Sequence, residues 1–459
     1  MQTKIIEEFF DKSTKNKKKI TVIGDCLIDE YFQITSERIS PEFPIQIFNS
    51  PNEKPIKVVP GGAANVIRQF QNLNAETKLV SIIDDYSYFI FNKSINIDCC
   101  RSHWNAQIPI KKRFYHGEFP LIRWDCEAKN FNLNDEELKE CHSDLKIPQS
   151  DVLIFSDYNK GVFSNNWFKN YLKNNITVVD PKNDINKWKN CTVFKPNSVE
   201  AKNLSGKSNV KDQLAYFLKT LNCKCVIITQ SEKGVYGCVN SPDNIFFIEP
   251  YCKPDVRCVI GAGDAFIAFF SLSLSLGLSY EKSAKIAFNA GISYVKNKHN
   301  EPVNCLDLLE GCSNFDKIIK NPKILAKKDK KLVFTNGCFD ILHEGHIETL
   351  KFAKSKGDKL VVALNSDSSI KKIKGSNRPI NNLEKRMKIL SQLQFVDYVT
   401  TFEEETPLNL INAIKPNVVV KGGDYKKENI IGSDLVEEVY ISNYLKGIST
   451  TSIIEKIKN

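Results

Sequence analysis

Thr335-Asn336-Gly337-Cys338-Phe339-Asp340-Ile341-Leu342-His343-Glu344-Gly345-His346 is the stretch on which the reading of this chain turns. It follows the apolar run Leu332-Val333-Phe334 and ends in H-x-G-H, so two of the six histidines stand three apart. That order predicts a strand, a glycine-bearing turn and the first turn of a helix, with both imidazoles aimed at one point. A nucleotide phosphate suits that point, because a spread donor set stabilises the charge that builds up when an α-phosphorus is attacked. A partial zinc site is the alternative, but no matching Cys or His cluster supplies further ligands.

Around this stretch the pattern is α/β. Leu332-Val333-Phe334, Leu360 to Leu364 and Asn417 to Val420 read as strands of a small doubly wound unit of roughly 130 residues. Upstream, from Lys19 to about Gly311, strand-like runs such as Ile20 to Ile23, Val152 to Phe155, Thr177 to Val179 and Cys225 to Ile228 alternate with helix-like ones. Such alternation predicts a second α/β domain with a mostly parallel sheet. Between them, Asp316 to Lys331 is rich in Lys and holds a Pro, which reads as a linker. The expected domains are 1–315 and 331–459, joined by 316–330.

The totals agree. A chain of 459 residues has room for two or three full cores. Hydrophobic content of 42% with charged content of 26% describes a soluble globular protein. The net charge of +10 comes from Lys spread along the whole chain, so it points to no nucleic acid; it also suits small phosphorylated substrates. The 14 cysteines are scattered and lack zinc-ligand spacing, as expected of reduced thiols in the cytoplasm. Glu7, Glu8 and Asp11 with no long apolar run argue against a signal peptide. Ala265 to Leu278, the most apolar stretch, is shorter than a membrane span and dotted with serines, so a buried helix is expected.

In the first half, Gly261-Ala262-Gly263-Asp264 precedes the apolar helix expected from near Ala265. The glycines let backbone N–H groups turn toward an anion at the positive end of a helix. A carboxylate there is placed to take a proton from an attacking hydroxyl. A plain turn is the alternative for this motif alone. Three other stretches support the functional reading. Gly24-Asp25 with Asp29 follows the first strand. Pro60 to Asn65 opens a helix whose small residues (Gly62 among them) admit a polyol, and Asn65 both donates and accepts. Asn197-Ser198-Val199-Glu200 follows a strand, where its amide and carboxylate could orient Mg²⁺-bound phosphates through water.

These four stretches, in order, resemble the ribokinase-like (pfkB-type) carbohydrate kinases. Arg38-Ile39-Ser40-Pro41-Glu42, Ser156 to Gly161 and Asp180-Pro181-Lys182 narrow the resemblance to the bacterial bifunctional heptose 7-phosphate kinase/heptose 1-phosphate adenylyltransferases. The resemblance implies a ribokinase-like α/β domain with a small β lid, and a homodimer through it. It implies that Asp264 is the catalytic base, and that Gly261, Ala262, Gly263 and Asn197, Ser198, Val199, Glu200 serve ATP. It places Asn289 near the adenine and turns Asp29, Gly62 and Asn65 to the sugar. Lys111, Lys112, Arg113 and Arg123, on an expected strand, are candidates for the substrate's 7-phosphate; a solvated strand face is the alternative. One loop departs from the pattern. Relatives carry an Asp and a Thr or Ser where Cys258 and Ile260 stand here, which puts a monovalent-cation site in doubt. It leaves open a silent first half, acting only as a sugar-phosphate-binding or dimerisation module.

The second half resembles the cytidylyltransferase-like nucleotidyltransferases, a Rossmann-like doubly wound family. The match runs from T-N-G-x-F-D-I-L-H-x-G-H through Asn365-Ser366-Asp367, Lys374 to Pro379, Glu384-Lys385-Arg386 and Lys421 to Tyr425 to Ser449-Thr450-Thr451. It implies that Asn336, Gly337, Phe339 and Asp340 shape the turn that admits the triphosphate, and that His343 and His346 donate to its phosphates. Asn365 and Asp367 would end a strand at the ligand edge of the sheet. Gly422 and Asp424, after Lys421, would fold over the ribose. Ser449, Thr450 and Thr451 would face phosphates from a helix N-terminus, an ordinary N-cap being the alternative. Lys374 and Arg378 would neutralise pyrophosphate or the sugar phosphate; for Arg378 a surface charge beside a Pro is the alternative. No side-chain nucleophile is needed. Mg²⁺ would come with ATP, and no direct protein ligand for a metal is expected. The implied partners are ATP and heptose phosphates, with no membrane. A different sugar or nucleotide remains the alternative within the same chemistry.

Overall fold

The computed structural model describes residues 2–98, 100–103, 105–250, 261–296, 301–310, 317–326, 330–423 and 430–442. The chain divides into two compact units, Met1–Ser313 and Asn314–Asn459.

The first unit is built on an eight-stranded sheet. Across it run Ile245–Ile248, Val235–Val239, Cys225–Thr229, Val193–Phe194, Thr177–Asp180, Val152–Ser156, Lys18–Gly24 and Ala75–Val80. The six strands from Cys225–Thr229 onward are mutually parallel, and the other two turn antiparallel. Val152–Ser156 is buried at every position, as an unbroken apolar run covered on both faces must be. The helix Ala262–Ser275 is buried from Asp264 to Ser273, so its lack of a polar face follows from its position in the core. It begins three residues earlier than expected, which puts Gly263 and Asp264 inside its first turn.

A second sheet forms the lid, in the order Phe119–Cys126, Ile110–His116, Cys26–Gln33, Lys57–Gly62. Its outer strand, Phe119–Cys126, is exposed at all but its last residue. Both lid roots meet at Asp25. The strand Cys26–Gln33 starts next to it, and the N–H of Ala63, after the strand Lys57–Gly62, donates to the Asp25 carbonyl at 3.0 Å. Gly62 has φ +59°, and a Cβ there would lie 2.4 Å from the same carbonyl oxygen, so only glycine fits. The fully buried Asp25 carboxylate accepts from the backbone N–H groups of Tyr158, Lys160 and Val162 at 2.9, 3.1 and 3.0 Å. The expected G-D motif is therefore a clamp on the loop after Val152–Ser156.

The second unit is a five-stranded, wholly parallel sheet in the order Tyr398–Phe402, Lys359–Asn365, Leu332–Gly337, Val418–Lys421, Glu438–Ile441. The strand order reverses beside Leu332–Gly337, the position where open α/β sheets form a ligand crevice. Val333, Leu350, Leu360, Val362, Leu364, Val399, Val418 and Val420 form its core. The Lys-rich segment upstream packs onto this unit. Ile319 donates to the Val399 carbonyl at 2.8 Å, and Ile319, Ile324 and Leu325 are buried. Among the described residues no helix is long and apolar enough to cross a membrane.

Candidate active sites

In the first unit the carboxyl ends of the parallel strands open into a cleft of about 450 Å³. Asp157, Asp180, Lys195 and Asn197 line it from strand ends, and Gly261, Ala262, Gly263 and Asp264 from the start of the long helix. Asp264 is 6% exposed. Asn65 Nδ2 donates to its Oδ2 at 2.7 Å, and the Tyr158 hydroxyl donates to its Oδ1 at 3.0 Å. Burial pushes this carboxyl up to about 6; Asn65 opposes, Asp180 adds to the rise, and Tyr158 and Lys195 hold it down. Such a group is ionised at neutral pH, yet basic enough to accept a proton in a transition state. Gly261, at φ +86°, caps the helix. A Cβ there would stand 2.7 Å from the Tyr294 hydroxyl and 2.8 Å from Asn65 Nδ2, so glycine is what lets Asn65 reach Asp264.

Lys195 is a cleft residue that none of the motifs points to. It is 3% exposed, its Nζ lies 2.9 Å from Asp180 Oδ2, and it stands over the Phe266 ring. A Lys directly after an apolar strand is the one signal the sequence offers for it. Asn197 and Glu200 do line the cleft, but they also form a capping box. The Asn197 side chain accepts from the N–H groups of Val199 and Glu200, and Glu200 accepts from the Asn197 N–H at 3.0 Å. Ser198 and Val199 are not in the cleft lining, and Val199 is exposed. Asn289 is buried in the helix Tyr280–Lys296, whose Phe288, Gly291, Ile292 and Val295 reach the cleft in its place. Asp29 lies on the lid strand Cys26–Gln33, in an ion pair with Arg113 at 2.7 Å. Cys258 and Ile260 lie outside the described residues.

Asp157 Oδ2 is buried in this cleft without a hydrogen-bond partner, and burial, with Asp25 behind it, pushes the carboxyl up to about 7. Asp180 and Glu200 line the same cleft. Among the described residues no cluster could ligate a bare metal ion. The donor set instead fits a hydrated divalent ion carried in by a nucleotide and held through water.

In the second unit, His343 caps the helix Glu344–Lys354 and His346 lies in its first turn. Their rings stack at 3.7 Å, and both Nδ1 atoms are buried without a hydrogen-bond partner. Burial lowers His343. His346 falls to about 4 through burial first, then His343 and Lys374. Phe339, at φ +45°, packs its ring 5.0 Å from His346 and against Gly337. The histidine pair is thus presented as two neutral rings at the switch point of the sheet.

The surrounding polar residues are tied to one another. Asp340 accepts from Arg378 Nε at 2.6 Å and from the N–H groups of Ile380 and Asn381 at 3.0 and 2.8 Å. Burial raises this carboxyl, but Asn381, Ile380 and Arg378 outweigh it and the net shift is downward. Arg378 is therefore neither a surface charge nor wholly open; its Nη2 alone is buried without a partner. Lys421 reaches the Asn336 side chain, and burial lowers its ammonium to about 8. Arg386, 1% exposed, donates to the carbonyls of Cys338, Asn365 and Asn381 and to Asp367 Oδ1 at 2.6 Å. It pins the histidine turn to the end of the neighbouring strand. Lys374 is exposed at the end of its helix, and nothing stands within 4 Å of a Cβ built on Gly422. Asp424, Ser449, Thr450 and Thr451 lie outside the described residues.

The pfkB family carbohydrate kinase model matches residues 17–299, and the cytidylyltransferase-like model residues 334–456. The chain is similar to the bifunctional protein HldE of Aliarcobacter butzleri (strain RM4018), 37% identical over 96% of this chain and 98% of that protein. It is also similar to the bifunctional protein HldE of Campylobacter concisus (strain 13826), 35% identical over 96% of this chain and 98% of that protein. Phosphofructokinase-2 from Escherichia coli shares the fold of the first unit, with a TM-score of 0.52 at 15% identity over 64% of this chain and 97% of that one. With both domain families matched and relatives aligned end to end, the chain belongs to the bifunctional HldE proteins, in which a pfkB carbohydrate kinase precedes a cytidylyltransferase-like nucleotidyltransferase.

Proposed function

We propose that the first unit transfers the γ-phosphate of ATP to O-1 of D-glycero-β-D-manno-heptose 7-phosphate. The second then joins AMP from ATP to D-glycero-β-D-manno-heptose 1-phosphate, giving ADP-heptose and pyrophosphate for the lipopolysaccharide core. The observation that carries this reading is Asp264, buried in the cleft with each carboxylate oxygen held by one donor. Each oxygen keeps a lone pair for the acceptor hydroxyl. As that hydroxyl oxygen bonds to the γ-phosphorus, its proton passes to Asp264 and the β–γ bridging oxygen leaves with ADP. Ala262 and Gly263, in the first turn of the helix, and Lys195 line the cleft in which that charge would move. Mg²⁺ with the nucleotide would screen the triphosphate, held through water by Asp157, Asp180 and Glu200.

In the second unit an oxygen of the sugar 1-phosphate attacks the α-phosphorus of ATP, and pyrophosphate leaves. The orphaned ring nitrogens of His343 and His346 support a role as donors to those phosphates. Lys421, with its depressed ammonium, gains a counter-charge when the nucleotide arrives.

The kinase unit pairs with a second copy through the lid. Ile39, Phe43, Ile45, Phe119, Leu121 and Trp124 expose between 46% and 75% of their surface, the last three on the edge strand Phe119–Cys126 and the others on the separate hairpin of Thr35–Ile39 and Gln46–Asn49. Such a patch on an open sheet edge favours a partner of the same kind. The place of work in this reading is the cytoplasm.

The test combines ATP with heptose 7-phosphate, with and without an added phosphatase, and follows products by mass. Heptose 1,7-bisphosphate without the phosphatase and ADP-heptose with it are expected. Asp264→Asn abolishes the first product, while ADP-heptose still forms from supplied heptose 1-phosphate. Absence of both products from the unmutated chain sinks the proposal.

A further inference from the structure

The loop that follows the strand Val152–Ser156 is gripped from two sides. Asp25 holds its N–H groups, at Tyr158, Lys160 and Val162. Two side chains outside the cleft hold its carbonyls. His142 Nε2 donates to the Gly161 carbonyl at 3.0 Å, and Trp167 Nε1 donates to the Val162 carbonyl at 2.8 Å. Neither His142 nor Trp167 is in the cleft lining. The other ring nitrogen of His142, Nδ1, accepts from Asn165 Nδ2 at 2.9 Å, so the same imidazole also ties down the far end of the loop. A carbonyl only accepts and an amide N–H only donates, so the two bonds together specify a neutral ring with its proton on Nε2. Burial lowers the basicity of this ring, which is 4% exposed, and so favours that form.

His142 comes from the helix Asp135–Asp144, whose start is fixed by the capping box of Asn134 and Glu137. Its ring stacks on that of Trp167, with centres 6.3 Å apart and planes 24° from parallel. Gly161, at φ +135°, allows the arrangement: a Cβ there would stand 2.9 Å from the Phe131 ring. What the loop presents to the cleft is Tyr158, whose hydroxyl donates to Asp264 Oδ1 at 3.0 Å. The turn between Tyr158 and Gly161 is tight. Asn159 has φ +56°, and its N–H donates to Asp157 Oδ1 at 2.7 Å. A shift of the Gly161 carbonyl therefore reaches Tyr158 with little slack to absorb it. A hydrogen bond weakens steeply once its donor is misdirected.

We infer that His142, assisted by Trp167, is a positioning residue for phosphoryl transfer: by fixing the Gly161 and Val162 carbonyls it sets the Tyr158 hydroxyl on Asp264. This rests on the kinase reading above, in which Asp264 takes the proton of the acceptor. A purely structural role would change only the stability or the amount of folded enzyme. Positioning acts on the basicity of Asp264, because a phenol no longer aimed at the carboxylate no longer favours its ionised form. Asn65, Asp180 and Lys195, the other side chains that act on Asp264, are left in place by changes at His142 and Trp167.

The test assays the full chain for phosphoryl transfer from ATP to heptose 7-phosphate across pH, with folding checked by thermal melting. In His142→Leu the acid limb of kcat/KM moves up by about 0.5 to 1 pH unit, the worth of one weakened hydrogen bond to a carboxylate. His142→Gln keeps a donor and an acceptor and restores the limb. Trp167→Phe keeps a ring but loses the donor, and it moves the limb in the same direction as His142→Leu. Added to Tyr158→Phe, either change moves the limb no further, because the phenol through which it acts is gone. A limb that stays put in a folded His142→Leu, or that moves again on top of Tyr158→Phe, overturns the positioning role. Should His142→Leu not fold, an unmoved limb in Trp167→Phe overturns it. The same titration is read without turnover from the NMR shift of the Asp264 carboxyl carbon, assigned by its loss in Asp264→Asn. A chain that transfers no phosphate, yet shows the carboxyl value rise in these variants, overturns the kinase reading and leaves the positioning role standing.

Discussion

The Tyr158 hydroxyl and the Asp264 carboxylate, 106 residues apart in sequence, meet at 3.0 Å in the kinase cleft. The phenol donates, so it favours the ionised carboxylate. As the proposed base, Asp264 must be ionised to take a proton, and its value of about 6 is expected to set the acid limb of kcat/KM for phosphoryl transfer. Activity rises as pH rises through that value. Tyr158→Phe removes one stabilising donor, so the limb moves upward by about one pH unit. The pH profile of both chains decides it; an unmoved limb with a lowered plateau leaves Tyr158 a packing residue.

Asn65 is the other donor. Asn65→Ala also raises the Asp264 value, and it frees Arg68 from one partner. Its effect on the sugar KM therefore exceeds that of Tyr158→Phe, while the acid limb moves in the same direction. Steady-state kinetics at two pH values separates the two variants.

His346 is neutral in the free protein well below pH 7, because its value is held near 4. A bound triphosphate raises it. Between the two values, ATP binding to the nucleotidyltransferase unit takes up a proton. Titration calorimetry near pH 5 in buffers of different ionisation heat measures that uptake. It is reduced in His346→Asn, whereas proton release, or uptake equal in both chains, contradicts the assignment.

Arg386→Met deletes four hydrogen bonds from a fully buried guanidinium and leaves three carbonyls unmet. A destabilisation of about 3 kcal/mol of the second unit is expected. Thermal melting checks it, with the first unit's transition as the internal control.

Trp124→Glu, with Leu121→Lys, places charges on the exposed lid strand. Sedimentation of the double variant shows a monomer if copies pair there. A dimer that persists moves the interface elsewhere.

Much of this is legible in the sequence because it is local. The run Thr335 to His346 announces strand, turn and helix through its own order of apolar, glycine and histidine residues, and the strands Leu332–Gly337 and Lys359–Asn365 lie where the apolar pattern puts them. The N-x-x-E spacing of Asn197 and Glu200 is equally readable as a capping box, a second role beside the nucleotide one. What the sequence withholds are meetings between distant segments. Asn65 and Asp264 are 199 residues apart, and nothing in either motif announces the other. Arg386 sits in a plain amphipathic helix, and only the folded sheet brings Cys338 and Asn365 within its reach. Arg113 alternates with Lys112 along one strand, and the pleat alone decides which of them meets Asp29.

Asp25 joins three parts of the kinase unit with one side chain and one carbonyl. The lid strand Cys26–Gln33 begins beside it, Ala63 at the end of the strand Lys57–Gly62 donates to its carbonyl, and the loop bearing the phenol is held on its carboxylate. The root of the lid and the loop that carries the Tyr158 phenol therefore share one anchor.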